Sequence, residues 1–314
     1  MKTTIDWFCF RTQSNPFQTF EKMLPMFGTA FDLVTLDTGH QGKDGWLRAA
    51  EIKLDSMTLG RIDYDGESQR GWVRVNLTGE GCGWVQDWKS AEGLIDVLVE
   101  AEIKRLDIAL TTYQGEVTHD MVIAAHAKNK FCSGGRQPHY RVIGGSDPRA
   151  GQTVYVGKRE GSDKMLRCYE KGFEMLSKVP ESFRRTTTHI HFDFFGPAQI
   201  EKVYRVEVEF KANEKIIPWT ALFTARDEVF AGAYPFCAEL LPGVQVRKFQ
   251  TMPDFGPIAK LETSLDHCRR AYGGILRAAV MAHGGDEEKV FKRILSREPS
   301  RALIDAGVLT VDHF

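Results

Sequence analysis

The most strongly patterned part of the chain reads TVYVGKREGSDKMLRCYEK over residues 153–171. Two short runs, 153–158 and 165–170, flank a polar turn at 160–163, which is typical of a β-hairpin. Because side chains on a strand alternate between its two faces, one face of this hairpin is apolar. The residues predicted on the opposite face are Tyr155, Gly157, Arg159, Arg167, Tyr169 and Lys171.

On the polar face of this hairpin, tyrosine side chains lie among positively charged side chains. Nearby positive charge favours the phenolate form, so we expect the pKa of such a tyrosine to be lowered. The same cations are suited to holding a phosphate group. The hairpin therefore indicates phosphate chemistry at a tyrosine.

Two further runs, 104–110 and 203–210, divide into an apolar and a polar face in the same way. The polar positions are Arg105, Asp107, Arg205, Glu207 and Glu209. An antiparallel sheet with one solvated face produces such alternation without any catalytic role. The kinds of residue favour a function, because carboxylates, tyrosine and arginines suit a hard-cation site beside a nucleophile directed at phosphate.

Four short blocks of the chain resemble the replication initiation factor family of the Rep_trans type. In the family's order, they are RLDIA at 105–109, YVGKR at 155–159, LRCYEK at 166–171 and RVEVE at 205–209. The family contains initiators of rolling-circle plasmids and of some filamentous phages. The resemblance implies a metal-dependent nickase that joins its tyrosine to the 5′ phosphate at the origin nick.

The resemblance also assigns the nucleophile, because Tyr169 stands where the family's catalytic tyrosine stands. We expect Arg159, Arg167 and Lys171 to hold the scissile phosphate and to assist formation of the phenolate. The energy of the phosphodiester is kept in the phosphotyrosine, so strand closure needs no nucleotide cofactor. The target must be unpaired to reach the tyrosine, which predicts activity on single-stranded or cruciform DNA.

A divalent metal site is predicted from three carboxylates. Asp107, Glu207 and Glu209 would coordinate Mg²⁺ or Mn²⁺, because all their donor atoms are oxygens. Such an ion would polarise the scissile phosphate. One of the two glutamates could instead pair with Arg205.

An alternative metal site is formed by His189 and His191. Two histidines at i and i+2 on a strand face the same way, and imidazole is a good divalent ligand. The pair resembles the His-hydrophobe-His element of HUH endonucleases, in which it usually precedes the tyrosine, whereas here it follows Tyr169. An HUH-type endonuclease using these histidines remains an alternative, as does a non-catalytic DNA-binding regulator on the same fold.

Composition indicates a globular protein without a membrane segment. The 314 residues are 42% hydrophobic and carry a net charge of −1, and no run approaches the length of a membrane helix. Six scattered cysteines are typical of free thiols in a reducing bacterial cytoplasm. Residues 128–185 hold 13 Lys/Arg against six Asp/Glu, which favours local phosphate contacts. The predicted DNA-contacting residues are Lys158, Arg184, Arg185, Arg269 and Arg270.

The order of the predicted elements, with short connections, indicates an α+β fold. We expect an antiparallel sheet with one polar catalytic face and helices on the other, followed by a mostly helical C-terminal region. The predicted domains are a nicking domain at 1–212 and a helical region at 213–314 for origin recognition or dimerisation. The resembled family acts as a dimer and reads its origin largely through the C-terminal region, and a host helicase is the expected partner after nicking.

Overall fold

A computed structural model describes residues 2–192, 195–213, 215–250 and 257–296. Its strands are β1 Thr3–Thr12, β2 Val34–Gln41, β3 Arg48–Leu54, β4 Met57–Tyr64, β5 Val73–Leu77, β6 Glu102–Thr112, β7 Tyr140–Ile143, β8 Thr153–Val156, β9 Lys164–Tyr169, β10 His189–Phe192, β11 Gly196–Gln199 and β12 Tyr204–Lys211. Its helices are α1 Pro16–Met23, α2 Gly79–Trp84, α3 Glu92–Val97, α4 His119–Ala127, α5 Lys171–Ser177, α6 Glu181–Arg184, α7 Arg226–Ala233, α8 Pro235–Leu240, α9 Pro257–Ala282 and α10 Glu287–Ile294.

Within the described residues, ten strands form one sheet in the order β2-β3-β4-β5-β1-β6-β12-β9-β8-β7, and β10 pairs with β11 in a separate hairpin. Every pair in the large sheet is antiparallel. The predicted α+β fold is confirmed. The three strands with polar alternation, β6, β12 and β9, are consecutive in the sheet, so their polar residues share one surface.

The other face of the central strands is the hydrophobic core of the molecule. Val206 and Val208 from β12, together with Leu166 and Cys168 from β9, are fully buried there. Helices α7 and α8 lie in the same buried layer, and Phe230 of α7 is completely inaccessible to solvent. Because side chains alternate along the strands, one face of the sheet is apolar and stabilises the fold by burial. The other face is polar and contains the candidate catalytic residues.

The chain divides into two compact units, Met1–Thr251 and Met252–Phe314. The division falls later than the predicted boundary at 212, because residues beyond β12 return to the sheet. Trp219 packs edge-on against Phe10 with ring centroids 5.5 Å apart, and Phe249 packs against Phe210 at 4.9 Å.

The second unit contains α9 and α10, and residues 297–314, part of the predicted origin-reading region, lie outside the described residues. The functions predicted for the two parts of the chain stay predictions. Among the described helices, none combines the length and apolar character needed to span a membrane.

Candidate active site

The polar face of the central strands holds three buried carboxylates in register. The pairing of β12 with β6 places Glu209 directly opposite Asp107. The pairing of β12 with β9 places Glu207 opposite Arg167. The three carboxylate residues are 2–4% exposed, so each must be neutralised by a partner or by a proton.

The phenol of Tyr169 is buried against this cluster. The residue is 8% exposed, and its hydroxyl donates to Glu207 Oε2 at 3.4 Å. Burial raises the pKa of Tyr169 well above its usual value, Glu207 adds to the rise, and Arg205 opposes it. The predicted lowering of the tyrosine pKa is therefore wrong. Arg167 and Lys171 lie over the ring, 5.0 and 5.7 Å from its centroid, and do not compensate for the lost hydration of a phenolate.

Arg205 is the cation that most strongly favours the phenolate, and the sequence did not identify it as a site residue. It lies opposite Tyr169 in the sheet. Its Nη1 donates to Asp6 Oδ1 at 2.5 Å and its Nε to Thr111 Oγ1 at 2.9 Å. The register of β1 against β6 shifts beside Asp6, and no simple alternation of residue types predicts such an irregularity.

A second arginine links two of the predicted metal ligands. Arg105 donates to both carboxylate oxygens of Asp107, at 2.9 and 2.6 Å, and lies 2.9 Å from Glu209 Oε2. Its guanidinium stacks over Trp7, 4.7 Å from the ring centroid. Burial nevertheless raises the pKa of Asp107 to about 7, and the neighbouring glutamates contribute to the rise.

The donor chemistry of Asp107, Glu207 and Glu209 fits a hard divalent cation. All ligand atoms are oxygens. Burial first, and the charges of Glu207 and Glu209 second, raise the pKa of Asp107, and a bound cation would stabilise the ionised carboxylate against both. Arg105 bridges Asp107 and Glu209, while Arg167 holds both oxygens of Glu207 at 2.7 and 2.9 Å. Metal binding here would therefore compete with these two guanidinium groups.

His189 and His191 lie on the separate hairpin, and Ile190 between them packs toward the small core around Phe173. Both histidines are exposed. Among the described residues, one group of three possible metal ligands has its ligand atoms within 4.8 Å of one another. This group is Asp37, His40 and Glu51. Neither the histidine pair nor the predicted carboxylate triad forms such a set, and both assignments stay predictions.

A cavity of about 720 Å³ opens at Tyr169. Arg167 and Lys171 line it, so two of the three predicted phosphate-holding residues converge on the tyrosine. Arg205 also contributes to its wall. Arg159 is not among the lining residues; it is exposed, and its Nη2 lies 3.5 Å from Glu209 Oε2.

The predicted DNA-contacting residues are all on the surface. Lys158 follows β8 at the hairpin turn, and Arg184 and Arg185 lie at the end of α6. The Arg184 side chain donates to the carbonyl oxygens of residues 177 and 179, so part of its role is structural. Arg269 and Arg270 are exposed on α9 in the second unit. Contact of these residues with DNA stays a prediction.

Comparison with known proteins agrees with the sequence blocks. Residues 101–253 match the family model described as replication initiation factor. The predicted resemblance to the replication initiation factor family is confirmed. The matched region contains β6, β8, β9 and β12, and therefore the tyrosine and all three carboxylates.

A solved structure has a similar fold. It is titled as a rolling circle replication initiator protein from Geobacillus stearothermophilus, with a TM-score of 0.50 and 19% sequence identity. The similarity covers 81% of this chain and 89% of that chain. At this identity the likeness shows the fold alone. No curated protein matches the sequence at a significant level.

Proposed function

We propose that this protein initiates rolling-circle replication by nicking origin DNA and rejoining it through a 5′-phosphotyrosine on Tyr169. One observation carries the proposal: the Tyr169 hydroxyl contacts Glu207 at the wall of a cavity where Arg167 and Lys171 also lie, within a segment that matches replication initiation factors. The substrate would be single-stranded or cruciform DNA, because the buried phenol is accessible only to an unpaired strand.

The nicking step begins with loss of the Tyr169 proton. Glu207 Oε2, at 3.4 Å, is the acceptor, and burial together with Asp6 raises the pKa of Glu207, which makes it a stronger base than an exposed glutamate. The phenolate oxygen then bonds to phosphorus while the bond from phosphorus to the 3′ oxygen breaks. The leaving 3′ oxygen takes up a proton from water and ends as a hydroxyl, and Glu207 returns the proton that it received to water. Rejoining reverses the bond changes without a nucleotide cofactor.

Charge on the transferred phosphate is met by residues that already face the cavity. Arg167 and Lys171 would hold its non-bridging oxygens, and Arg205 would stabilise the phenolate. Asp107 and Glu209 would hold the divalent cation together with Glu207, through the Glu207 oxygen that does not accept the Tyr169 proton, and the ion when bound polarises the phosphate. Their negative charge without a cation would repel DNA, which explains why arginines neutralise them in the free protein.

The nucleophile is tested by incubating Tyr169→Phe with labelled single-stranded origin oligonucleotides and Mn²⁺. We expect binding to persist while the covalent adduct, resolved on a denaturing gel, disappears. Tyr155→Phe is the matched control, because Tyr155 lines the same cavity from the neighbouring strand and should leave the adduct unchanged. Undiminished adduct in Tyr169→Phe would overturn the assignment.

The metal set is tested by comparing Asp107→Asn with His189→Gln in the same assay. Loss of Mn²⁺-dependent adduct in Asp107→Asn alone supports the carboxylate site. Loss in His189→Gln alone would support the HUH alternative. DNA binding without any adduct in the wild-type chain would favour the non-catalytic regulator.

We propose that the protein acts in the cytoplasm of a bacterial host on a plasmid or filamentous phage replicon. It would work there as a homodimer and hand the nicked origin to a host helicase. The exposed cations of α9 suit a role in origin recognition. Mass measurement of the free protein and of its origin complex tests the dimer directly.

A further inference from the structure

A second cavity, of about 390 Å³, lies on the face of the sheet opposite the tyrosine. Lys164 of β9 and Phe210 of β12 line it, and both alternate with the polar-face residues of their strands. Helix α7 and the segment 247–249 complete its walls. The volume is that of a small-ligand pocket.

Five of the residues lining this second cavity are cations, and they are Arg136, Lys164, Lys215, Arg247 and Lys248. Among the described residues that line this cavity, one is acidic, Asp163. Arg247 is paired with Glu228 at 2.7 Å, so its charge is already satisfied. Even with Arg247 set against Glu228 and a second cation set against Asp163, the lining keeps a positive excess suited to an anion.

The lysines of the second cavity repel one another. Lys164 donates to the backbone carbonyl of Ala233 and lies 4.4 Å from the ring centroid of Tyr234. Burial, with smaller contributions from the charges of Lys248 and Lys215 and against the opposing charge of Asp163, lowers the pKa of Lys164 to about 8. A bound phosphate would offset this repulsion, because its negative charge attracts each of the lysines.

The wall formed by residues 247–249 is fixed by close packing. A Cβ on Gly232 would lie 1.9 Å from the carbonyl oxygen of Arg247, so only glycine permits this approach of the segment to α7. The Arg247 amide donates to the Glu228 carbonyl at 3.0 Å. Phe249 then meets Phe210 edge-on at 4.9 Å, which leaves its ring half-buried at the cavity. The pocket is therefore built by the fold and contains an aromatic surface.

We propose that this second cavity binds one nucleotide unit, with its base against Phe249 and its phosphate among Lys164, Lys215 and Lys248. Aromatic rings and cations are the two elements that hold unpaired nucleotides in proteins. The unit could be a free nucleotide or part of a DNA strand that crosses the molecule. The inference does not depend on cleavage at Tyr169, because the two cavities lie on opposite faces of the sheet.

The test uses the full chain carrying Tyr169→Phe, so that no covalent adduct forms. Calorimetry with dTMP measures the free nucleotide, and crosslinking of a 4-thiothymidine oligonucleotide, followed by peptide mapping, measures the strand. Lys248→Glu should weaken dTMP binding, or crosslinking to the 247–249 segment, by about tenfold, which corresponds to one charge-assisted contact. Lys43→Glu is the control, since it makes the same charge change at an exposed residue outside both cavities.

Each result decides the proposal. Binding of dTMP that Lys248→Glu weakens supports a free nucleotide, and crosslinking without dTMP binding supports a DNA strand. Equal effects of Lys248→Glu and Lys43→Glu overturn the site. Inorganic phosphate that competes with dTMP with equal affinity, displacing about half of it at equal concentration, would show that the base contributes nothing and would also overturn the proposal. Adduct formation by the wild-type chain is measured separately. A negative result for the second cavity therefore does not affect the proposed reaction at Tyr169.

Discussion

Burial, more than neighbouring charge, sets the chemistry of Tyr169. The phenol is surrounded by cations, yet its pKa is raised, because removing a phenolate from water costs more than the surrounding arginines return. A residue of this kind needs a base in contact and a cation close by. In the proposed nicking reaction, Glu207 would be this base and Arg205 this cation, since Glu207 contacts the phenol and Arg205 lies opposite Tyr169 in the sheet.

Loss of Arg205 should reduce adduct formation strongly. We expect Arg205→Met to slow the reaction by about a hundredfold, the scale seen when one preorganised donor is removed from a buried site. Arg205→Lys should recover part of the rate because it keeps the charge. Thr111→Val removes only a partner of Arg205 and should change the rate little. Equal rates for Arg205→Met and wild type would show that the phenolate does not need this cation.

Lys164 should make stability increase with pH in the alkaline range. Its pKa is lowered to about 8 in the folded protein from an ordinary value of 10.5, so the unfolded chain binds more protons between these values. The Lys164 contribution to the free energy of unfolding should therefore rise from pH 8 to about 10.5, whereas buried thiols such as Cys9 and Cys237, whose pKa values burial raises, lower the stability of any variant in this range. Urea titrations should therefore show wild type gaining stability relative to Lys164→Met across this range. The same pH dependence of the free energy of unfolding in both proteins would contradict the prediction.

At the scale of strands and helices, much of the architecture was predictable. Alternation in β6, β9 and β12 correctly separated the apolar from the polar residues, because a strand fixes the direction of every second side chain. The register between strands was not predictable, and it is the register that places Arg205 opposite Tyr169. The contribution of Asp6 was also hidden, since it depends on a local irregularity in β1.

Helix α5 begins two residues after Tyr169, and its position depends on Gly172. A Cβ there would lie 2.0 Å from the Ile200 carbonyl oxygen, so Gly172→Ala must push the helix away. We expect a loss of about 1–3 kcal/mol in the free energy of unfolding, the usual cost of overpacking, and a weaker adduct signal. Gly93→Ala in α3 meets open space and should stabilise the protein by about 0.5–1 kcal/mol. Urea unfolding of both variants checks the contrast.

The molecule contains one unit built on a sheet with a polar and an apolar face, and a second unit that is helical. Residues 213–250 belong to the first unit, because Trp219, Phe230 and Phe236 are buried in it. Sequence pattern placed the boundary at the end of β12, where the strand pattern stops and helices begin. Contacts between distant parts of the chain, such as Trp219 with Phe10, join this region to the first unit, and a pattern read along the chain does not contain them.

Two truncations test this organisation. A chain ending at residue 251 should unfold cooperatively and form the Tyr169 adduct on a short oligonucleotide, because it keeps the sheet and its apolar cover. A chain ending at residue 212 should be insoluble, since it exposes the core face of β12 and β9. The 251-residue chain should lose its preference for origin over unrelated DNA if the second unit reads the origin. Full retention of that preference would place origin recognition in the first unit, where the basic segment 128–185 is the candidate surface.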